Sequence, residues 1–225
     1  MMRKLAKKLI GSIPFVRNKF KSLRHAKVGK AEFWQMKRDF QIQFLRSTDL
    51  MPEHVLFDLG CGTLRGGIPI IQFLQPGNYH GFDIRSEVLN DALLELKEEG
   101  LLYKNANLYR EKSISELKLD MKFDYIWAFS VFIHLTDQVL NEVLEFSAKH
   151  LKSDAKLLAN VNLGKMQNSA WQAFPVIWRE WTEWEKLAQS KGLQIRNCGT
   201  LESLGHHTGE LAQDSQVLIE FTLIK

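Results

Sequence analysis

Two carboxylates and a pair of glycines carry the clearest chemical signal in the sequence. The stretch DLGCG at 58–62 ends one apolar segment, and Asp83 ends the next. Gly60 and Gly62 allow the backbone to turn sharply and to approach a ligand closely. A carboxylate at the end of the following strand can accept hydrogen bonds from both hydroxyls of a ribose. The pattern therefore predicts an adenosine-type ligand lying across the tips of two neighbouring strands.

Two further residues of this loop argue against a dinucleotide. In the loop G-x-G-x-x-G the third glycine lets the helix pack closely on the strand, and here Arg65 takes that place. Asp58, two positions before Gly60, would repel a pyrophosphate but suits an ammonium group. S-adenosylmethionine carries a ribose, an adenine and an amino-acid ammonium, and it has no phosphate. A nicotinamide-dependent dehydrogenase remains the alternative, which tight binding of NADH would reveal.

Three motifs in order resemble those of a known family. They are D-L-G-C-G-T, G-F-D and F-D-Y-I-W-A-F-S-V-F-I-H-L. They resemble the class I S-adenosylmethionine-dependent methyltransferases over roughly residues 45–225, and most closely the bacterial members with a D-x-G-C-G-x-x-R-G-G loop. The resemblance implies S-adenosylmethionine as the cofactor. It also implies transfer of a methyl group to a small-molecule or glycan-linked acceptor, with oxygen as the expected atom.

The resemblance assigns the methionine end of the cofactor to the glycine loop. Asp58, Gly60 and Gly62 would hold the methionine portion. Cys61 and Arg65 belong to the same loop and are expected to bind the cofactor with them.

The tips of the next strands would receive the rest of the cofactor. By the same resemblance, Asp83 would bind the ribose hydroxyls and Ile84 would pack on the adenine. Phe129 and Ser130, at the end of the fourth strand, would line the pocket near the methyl group. The contact to the adenine amino group stays open between two residues, Glu111 and Ser113.

His134 is the candidate catalytic residue. A hydroxyl acceptor benefits from a general base, and an imidazole with a pKa near ~6.5 suits proton removal at neutral pH. His134 follows the fourth strand, on the edge where the cofactor is expected. The alternative is a histidine that caps or packs the following helix.

Further candidates for contact with the acceptor lie near the C-terminus. The segment 162–184 holds four of the chain's six tryptophans, of which Trp171 and Trp178 are the candidates for a lid over the acceptor. His206 and His207 stand between the last two strands and could also reach the site. Adjacent residues of an extended chain point to opposite faces, so no metal site is predicted there.

The elements that must position these residues alternate between strands and helices. Such alternation predicts an α/β three-layer sandwich with a mainly parallel, seven-stranded sheet and an antiparallel last strand, preceded by N-terminal helices. Residues 1–30 are predicted to be a basic amphipathic extension and residues 31–225 the methyltransferase domain. A capping box from Thr182 to Glu185 is predicted to open the last long helix.

Charge is distributed unevenly along the chain. Residues 1–30 contain ten Lys or Arg residues and no acidic residue. The remainder has 30 − 10 = 20 basic against 26 acidic residues, a net charge of −6. An acidic body argues against binding of nucleic acid. Methylation of RNA or protein, and a non-catalytic cofactor-binding module, remain the alternative functions.

The expected location is the cytoplasm. Two cysteines form no disulfide framework, and no apolar run reaches the ~18–20 residues that span a bilayer. Residues 1–24 have an apolar stripe between basic residues, which suits either the inner face of an anionic membrane or packing on the body.

Overall fold

A twisted sheet with helices on both faces forms the body of the molecule. The computed structural model describes residues 21–166, 169–171 and 173–225. Its strands are β1 Leu56–Leu59, β2 Tyr79–Phe82, β3 Asn107–Tyr109, β4 Phe123–Ala128, β5 Leu151–Leu163, β6 Ser169–Trp171, β7 Phe174–Val176, β8 Trp178–Arg179, β9 Leu193–Thr200 and β10 Val217–Leu223. Its helices are α1 Trp34–Ser47, α2 Gly67–Phe73, α3 Ser86–Glu98, α4 Asp137–His150, α5 Trp181–Gln189 and α6 Leu211–Asp214.

The strand order places the predicted site at a switch point. The sheet runs β3-β2-β1-β4-β5-β10-β9, and strands β1 to β5 pair in parallel. β10 is antiparallel to both β5 and β9. The chain order reverses between β1 and β4, where open α/β sheets bind their ligands. The predicted fold class, including the antiparallel last strand, is confirmed.

Two apolar clusters cover the two faces of the sheet. On one face Phe57, Phe132 and Trp184 of α5 belong to one cluster and are almost completely buried. On the other, Leu45 of α1 and Trp127 of β4 belong to a second cluster and are completely buried. Each such side chain contributes ~1.5–3 kcal/mol by leaving water. The carboxyl ends of β1, β2 and β4 are thereby held in fixed relation to one another.

The segment after β5, where a lid was predicted, contains three short strands. Strands β6 and β7 form an antiparallel hairpin, and β8 adds to β5 in parallel. Trp171 faces Phe174 across the hairpin, and cross-strand aromatic pairs stabilise such a ribbon. The described residues therefore contain three short strands beyond the seven predicted. Tryptophan spacing alone did not reveal the pairing.

The capping box was predicted two residues too late. Glu180 is the N-cap of α5, and its backbone N–H donates to Glu183 Oε2 at 2.7 Å. The prediction from Thr182 to Glu185 is wrong because the carboxylate of Glu180 already satisfies the exposed amides of the first turn.

The described part of the N-terminal extension is joined to the body. Residues 21–26 are helical, and the remainder of the predicted N-terminal helices lies outside the described residues. In the described part of the chain, no helix is both long enough and apolar enough to cross a bilayer.

Candidate functional site

Two positions of the loop after β1 require glycine. Gly60 and Gly62 have φ values of +72° and +55°, which favour residues without a side chain. A Cβ on Gly60 would lie 2.5 Å from Val131, and one on Gly62 would lie 2.7 Å from Val28. The N–H of Gly60 donates to the carbonyl of Phe82 at 2.7 Å, which ties the loop to the end of β2.

Asp83, the predicted ribose residue, lies beneath this loop and is almost completely buried. Its Oδ2 accepts the N–H of Gly62 at 3.1 Å. Arg85 supplies three more donors: its backbone N–H and Nε to Oδ1, at 2.9 and 3.1 Å, and Nη2 to Oδ2 at 3.1 Å. Sequence reasoning missed Arg85. Its position two residues after the strand-ending aspartate is the only local signal that could have indicated it.

Asp58 is buried at the end of β1. The hydroxyl of Tyr79 donates to its Oδ2 at 2.5 Å. Burial raises the pKa of Asp58 to about 7, against the opposing effect of the Tyr79 hydrogen bond. Asp58 is therefore partly protonated at neutral pH, and a cation placed beside it would drive off the proton.

Arg65 and its neighbours show that the loop fits a polar ligand. Arg65 Nη1 donates to the carbonyl of Val28 at 2.7 Å, whereas its buried Nε has no partner. The buried hydroxyl of Thr63 also has no partner. Burial lowers the pKa of Arg65 to about 10, so it stays charged at neutral pH. Burial raises the pKa of the Cys61 thiol well above its ordinary value, which makes it inert as a nucleophile.

The tip of β4 is held by an asparagine that was not predicted. Ser130 has a φ of +61°, and its N–H donates to Asn160 Oδ1 at 2.6 Å. Asn160 in turn donates to Gln216 at 2.6 Å. This support fixes the turn that carries Val131 over Gly60. Phe129, just before the turn, is buried.

His134 lies beside the β6–β7 hairpin, in the turn that follows β4. Its Nδ1 is 2.7 Å from the carbonyl oxygen of Pro175. Since a carbonyl only accepts, Nδ1 carries the proton and Nε2 keeps its lone pair. Burial lowers the pKa of His134, and the charge of Arg85 lowers it further. The imidazole is therefore neutral at pH 7 and able to accept a proton.

The four residues predicted to contact the acceptor lie in different parts of the fold. Trp171 stacks on His134 with ring centroids 5.7 Å apart. Trp178 is half-buried in β8. His206 is buried 3.3 Å from Asp214, whereas His207 is exposed. Of the four, Trp171 is the one that lies against His134.

His206 packs edge-on against Phe129, with the ring centroids 5.6 Å apart. Its neighbour His207 lies in solvent, as expected for adjacent residues that point apart. No group of three or more His, Cys, Asp or Glu side chains in the described residues could hold a metal ion.

The predicted adenine contacts are less well defined than the ribose contact. Ile84 is exposed at 52 % of its surface, directly after Asp83. Glu111 is exposed, and the hydroxyl of Ser113 lies 2.8 Å from that of Ser115.

One family model matches part of this chain. A family model described as a methyltransferase domain matches residues 57–157, from β1 to the middle of β5. No curated protein matches the chain.

Solved structures share the fold over nearly the whole chain. The magnesium protoporphyrin IX methyltransferase of Synechocystis PCC 6803, with bound S-adenosylmethionine, has a TM-score of 0.64 and 15 % identity, covering 99 % of this chain and 96 % of that one. An S-adenosylmethionine-dependent methyltransferase from Clostridium acetobutylicum ATCC 824 has a TM-score of 0.64 and 16 % identity, with 93 % and 99 % covered. A glycopeptide N-methyltransferase complexed with S-adenosylmethionine has a TM-score of 0.63 and 12 % identity, with 82 % and 93 % covered.

Proposed function

We infer that the chain is a class I S-adenosylmethionine-dependent methyltransferase, and we propose that it methylates a small-molecule or glycan-linked acceptor at oxygen. One observation carries this proposal. Asp83 and His134 belong to one edge of the sheet. Arg85 bonds to Asp83, its guanidinium carbon lies 5.5 Å from the centre of the Phe174 ring, and that ring lies 5.8 Å from the ring of His134. A ribose-binding carboxylate and a proton acceptor are thus near each other.

The residues of the loop fit the cofactor S-adenosylmethionine. In our proposal Asp83 binds the ribose hydroxyls, and Asp58 with Arg65 receives the amino-acid end. The cofactor supplies an electrophilic methyl group on a sulfonium centre when it is bound. The protein positions the acceptor against it and excludes water, which is the main contribution of a methyltransferase site.

His134 is the general base in this proposal. Its Nε2 would accept the proton of a hydroxyl as that oxygen is alkylated, while the carbonyl of Pro175 keeps the ring in the required tautomer. The exposed face of Trp171 beside it suits a sugar or another flat, apolar acceptor. Two of the similar structures are methyltransferases named for a porphyrin and a glycopeptide, which supports an acceptor of that size.

The alternatives are less well supported. Residues 31–225 carry a net charge of −6, which disfavours an RNA acceptor because phosphates are bound chiefly by Lys and Arg. A non-catalytic module would not need the neutral His134 beside the ribose site. Arg65 in place of a third glycine disfavours a dinucleotide.

Calorimetric titration with S-adenosylhomocysteine and with NADH tests the cofactor. Transfer of a radiolabelled methyl group into fractionated cell extract then tests the activity and identifies the acceptor class. Binding of NADH without binding of S-adenosylhomocysteine would contradict the proposal. Label recovered only in RNA or protein would support the alternatives instead.

Proton release tests the position of the amino-acid end. Because the pKa of Asp58 is about 7, this carboxyl is half protonated at pH 7. An ammonium group beside it lowers that pKa, so binding of S-adenosylhomocysteine should release part of a proton at pH 7 and a smaller part at pH 8. Calorimetry in buffers of different ionisation enthalpy measures this number. Asp58→Asn is the control, and equal proton release by the variant would exclude Asp58 as the source.

Association with the membrane surface is a separate proposal. Lys21, Arg24, Lys27 and Lys30 pair with acidic side chains of the body, so membrane binding would depend on residues 1–20. Removal of residues 1–20 is expected to abolish flotation with vesicles that contain phosphatidylserine. Phosphatidylcholine vesicles are the control. Equal flotation of the shortened chain would contradict the proposal.

A further inference from the structure

The carboxylate of Asp83 has no capacity left for a ribose. A carboxylate offers about four lone-pair positions on its two oxygens. Asp83 accepts four donors, of which two come from backbone N–H groups and two from the guanidinium of Arg85. Each oxygen receives one donor from the guanidinium. Removing the Arg85 side chain would free one position on each oxygen, which matches the two hydroxyls of a ribose.

The same guanidinium contacts two segments that cover the site. Arg85 Nη1 lies 3.4 Å from the carbonyl oxygen of Lys27. Its guanidinium carbon lies 5.5 Å from the centre of the Phe174 ring, in the β6–β7 hairpin. Arg85 therefore connects Asp83 with the N-terminal segment on one side and with the hairpin on the other.

Residues 27–29, which we call the strap, lie across the glycine loop. Val28 stands over Gly62, and its carbonyl accepts the hydrogen bond from Arg65. Gly29 follows with a φ of +120°, a conformation that a residue with a side chain adopts only with strain. The strap thus covers the position where the ligand must approach the loop, and it contains a natural hinge.

Ion pairs fasten the helix that precedes the strap to α3. Arg24 Nη2 is 2.9 Å from Glu95 and 2.6 Å from Glu98, and Arg24 and Glu95 are both buried. His25 Nε2 is 3.2 Å from the same oxygen of Glu95. Glu95 is therefore the central anchor of the strap, and its loss should loosen the segment without touching the ligand-binding residues.

A groove beside Arg85 offers room for its side chain. The groove has a volume of about 500 Å³ and lies between the strap, the start of α3 and the hairpin. Its lining includes Leu23, Lys27, Val88 and Phe174. The guanidinium can leave Asp83 for this space while its stem stays on an apolar surface.

We propose that Arg85 is an exchangeable occupant of the ribose site and that, with the strap, it gates entry and exit of the cofactor. The ribose hydroxyls replace the two guanidinium donors on Asp83, and Arg85 then ceases to hold the strap at Lys27. The strap opens for the ligand and closes behind it. The proposal rests on the proposed function, since it requires that Asp83 bind a ribose.

Stopped-flow fluorescence with S-adenosylhomocysteine and the full chain tests the exchange. Arg85→Gln should raise the association rate constant and tighten Kd, each about tenfold, as expected when a competing conformation is removed. In an Asp83→Asn background the same change should alter Kd less than twofold, because the carboxylate for which Arg85 and the ligand compete is then absent. A weaker Kd for Arg85→Gln, or an equal effect in both backgrounds, would overturn the proposal.

A second variant tests the gate at a distance from the ligand. Glu95→Gln should raise the association and dissociation rate constants by the same factor, about fivefold, and leave Kd within twofold, because a gate is crossed in both directions. Glu145→Gln, which removes the ion pair with Lys191 on the other face, is the matched control. If only the dissociation rate constant rises, the strap contacts the bound ligand but does not gate its entry, which contradicts the proposal. Wild-type protein that binds no S-adenosylhomocysteine would contradict the proposed function itself, whereas binding with unchanged rates contradicts the gate alone.

Discussion

Replacing His134 by glutamine is expected to lower methyl transfer about 100-fold or more, while the affinity for S-adenosylhomocysteine stays within about threefold. General-base catalysis contributes about 10²–10⁴ to such reactions. Glutamine keeps the size and polarity of the side chain but cannot accept the proton. Transfer of radiolabel into the responding extract fraction measures the rate, and calorimetry measures the affinity.

The pH profile separates a base from a structural histidine. Burial lowers the pKa of His134, so the active neutral form predominates at pH 7. With the cofactor at saturation, wild-type transfer should change little above pH 7 and should fall as the pH drops through the lowered pKa of His134, which then gains its proton. In the glutamine variant this acid limb should disappear. A matched control is His207→Gln, since His207 is exposed. Loss of cofactor affinity in His134→Gln would instead make His134 a packing residue.

The sequence predicted the position of the glycine loop and of Asp83 in the fold, because both follow directly from local geometry. The glycine loop and Asp83 lie at strand ends, and hydrophobic patterning located those strands. Strand order then brings the ends together whenever the sheet is parallel. The loop residues and Asp83 accordingly meet at one edge of β1 and β2.

Long-range support was not predictable in the same way. Asn160 fixes the turn at Ser130 across a separation of 30 residues, and Val28 lies over Gly62 from the N-terminal side. Neither residue belongs to a motif, and the residues next to each of them in the sequence give no sign of its role. Their roles depend on which elements the fold places beside them, and spacing along the chain does not encode that information.

The two buried carboxylates of the site are each paired within the protein. Asp58 and Asp83 are both buried. Burial raises the pKa of Asp58, and the nearby carboxylate of Asp83 raises it further. Each is satisfied by a different partner, the hydroxyl of Tyr79 for one and the guanidinium of Arg85 for the other. A buried charge requires such a partner. In our proposal, a ligand replaces these partners when it binds.

Asp83→Asn is expected to weaken binding of S-adenosylhomocysteine about 10- to 150-fold, equivalent to ~1.5–3 kcal/mol, the scale of hydrogen bonds to a charged group. The amide retains the shape of the carboxylate but loses its charge and half of its acceptor capacity. The loss should appear mainly in dissociation, because contacts formed after docking govern how long a ligand stays. Calorimetry gives Kd, and stopped-flow fluorescence separates the two rates.

The control for Asp83→Asn is Asp124→Asn, at the start of β4 and the opposite edge of the sheet. Asp124 accepts the N–H of Val55 at 2.8 Å and pairs with Lys152 at 2.7 Å. Its replacement should lower the melting temperature and leave Kd unchanged. If Asp83→Asn has unchanged affinity and a normal melting temperature, Asp83 is not the residue that binds the ribose. Because Asp83 is engaged on all sides by donors of the protein, the measured loss is the net difference between ribose and Arg85 as partners. A value at the lower end of the range is therefore the outcome that an effective competitor would produce.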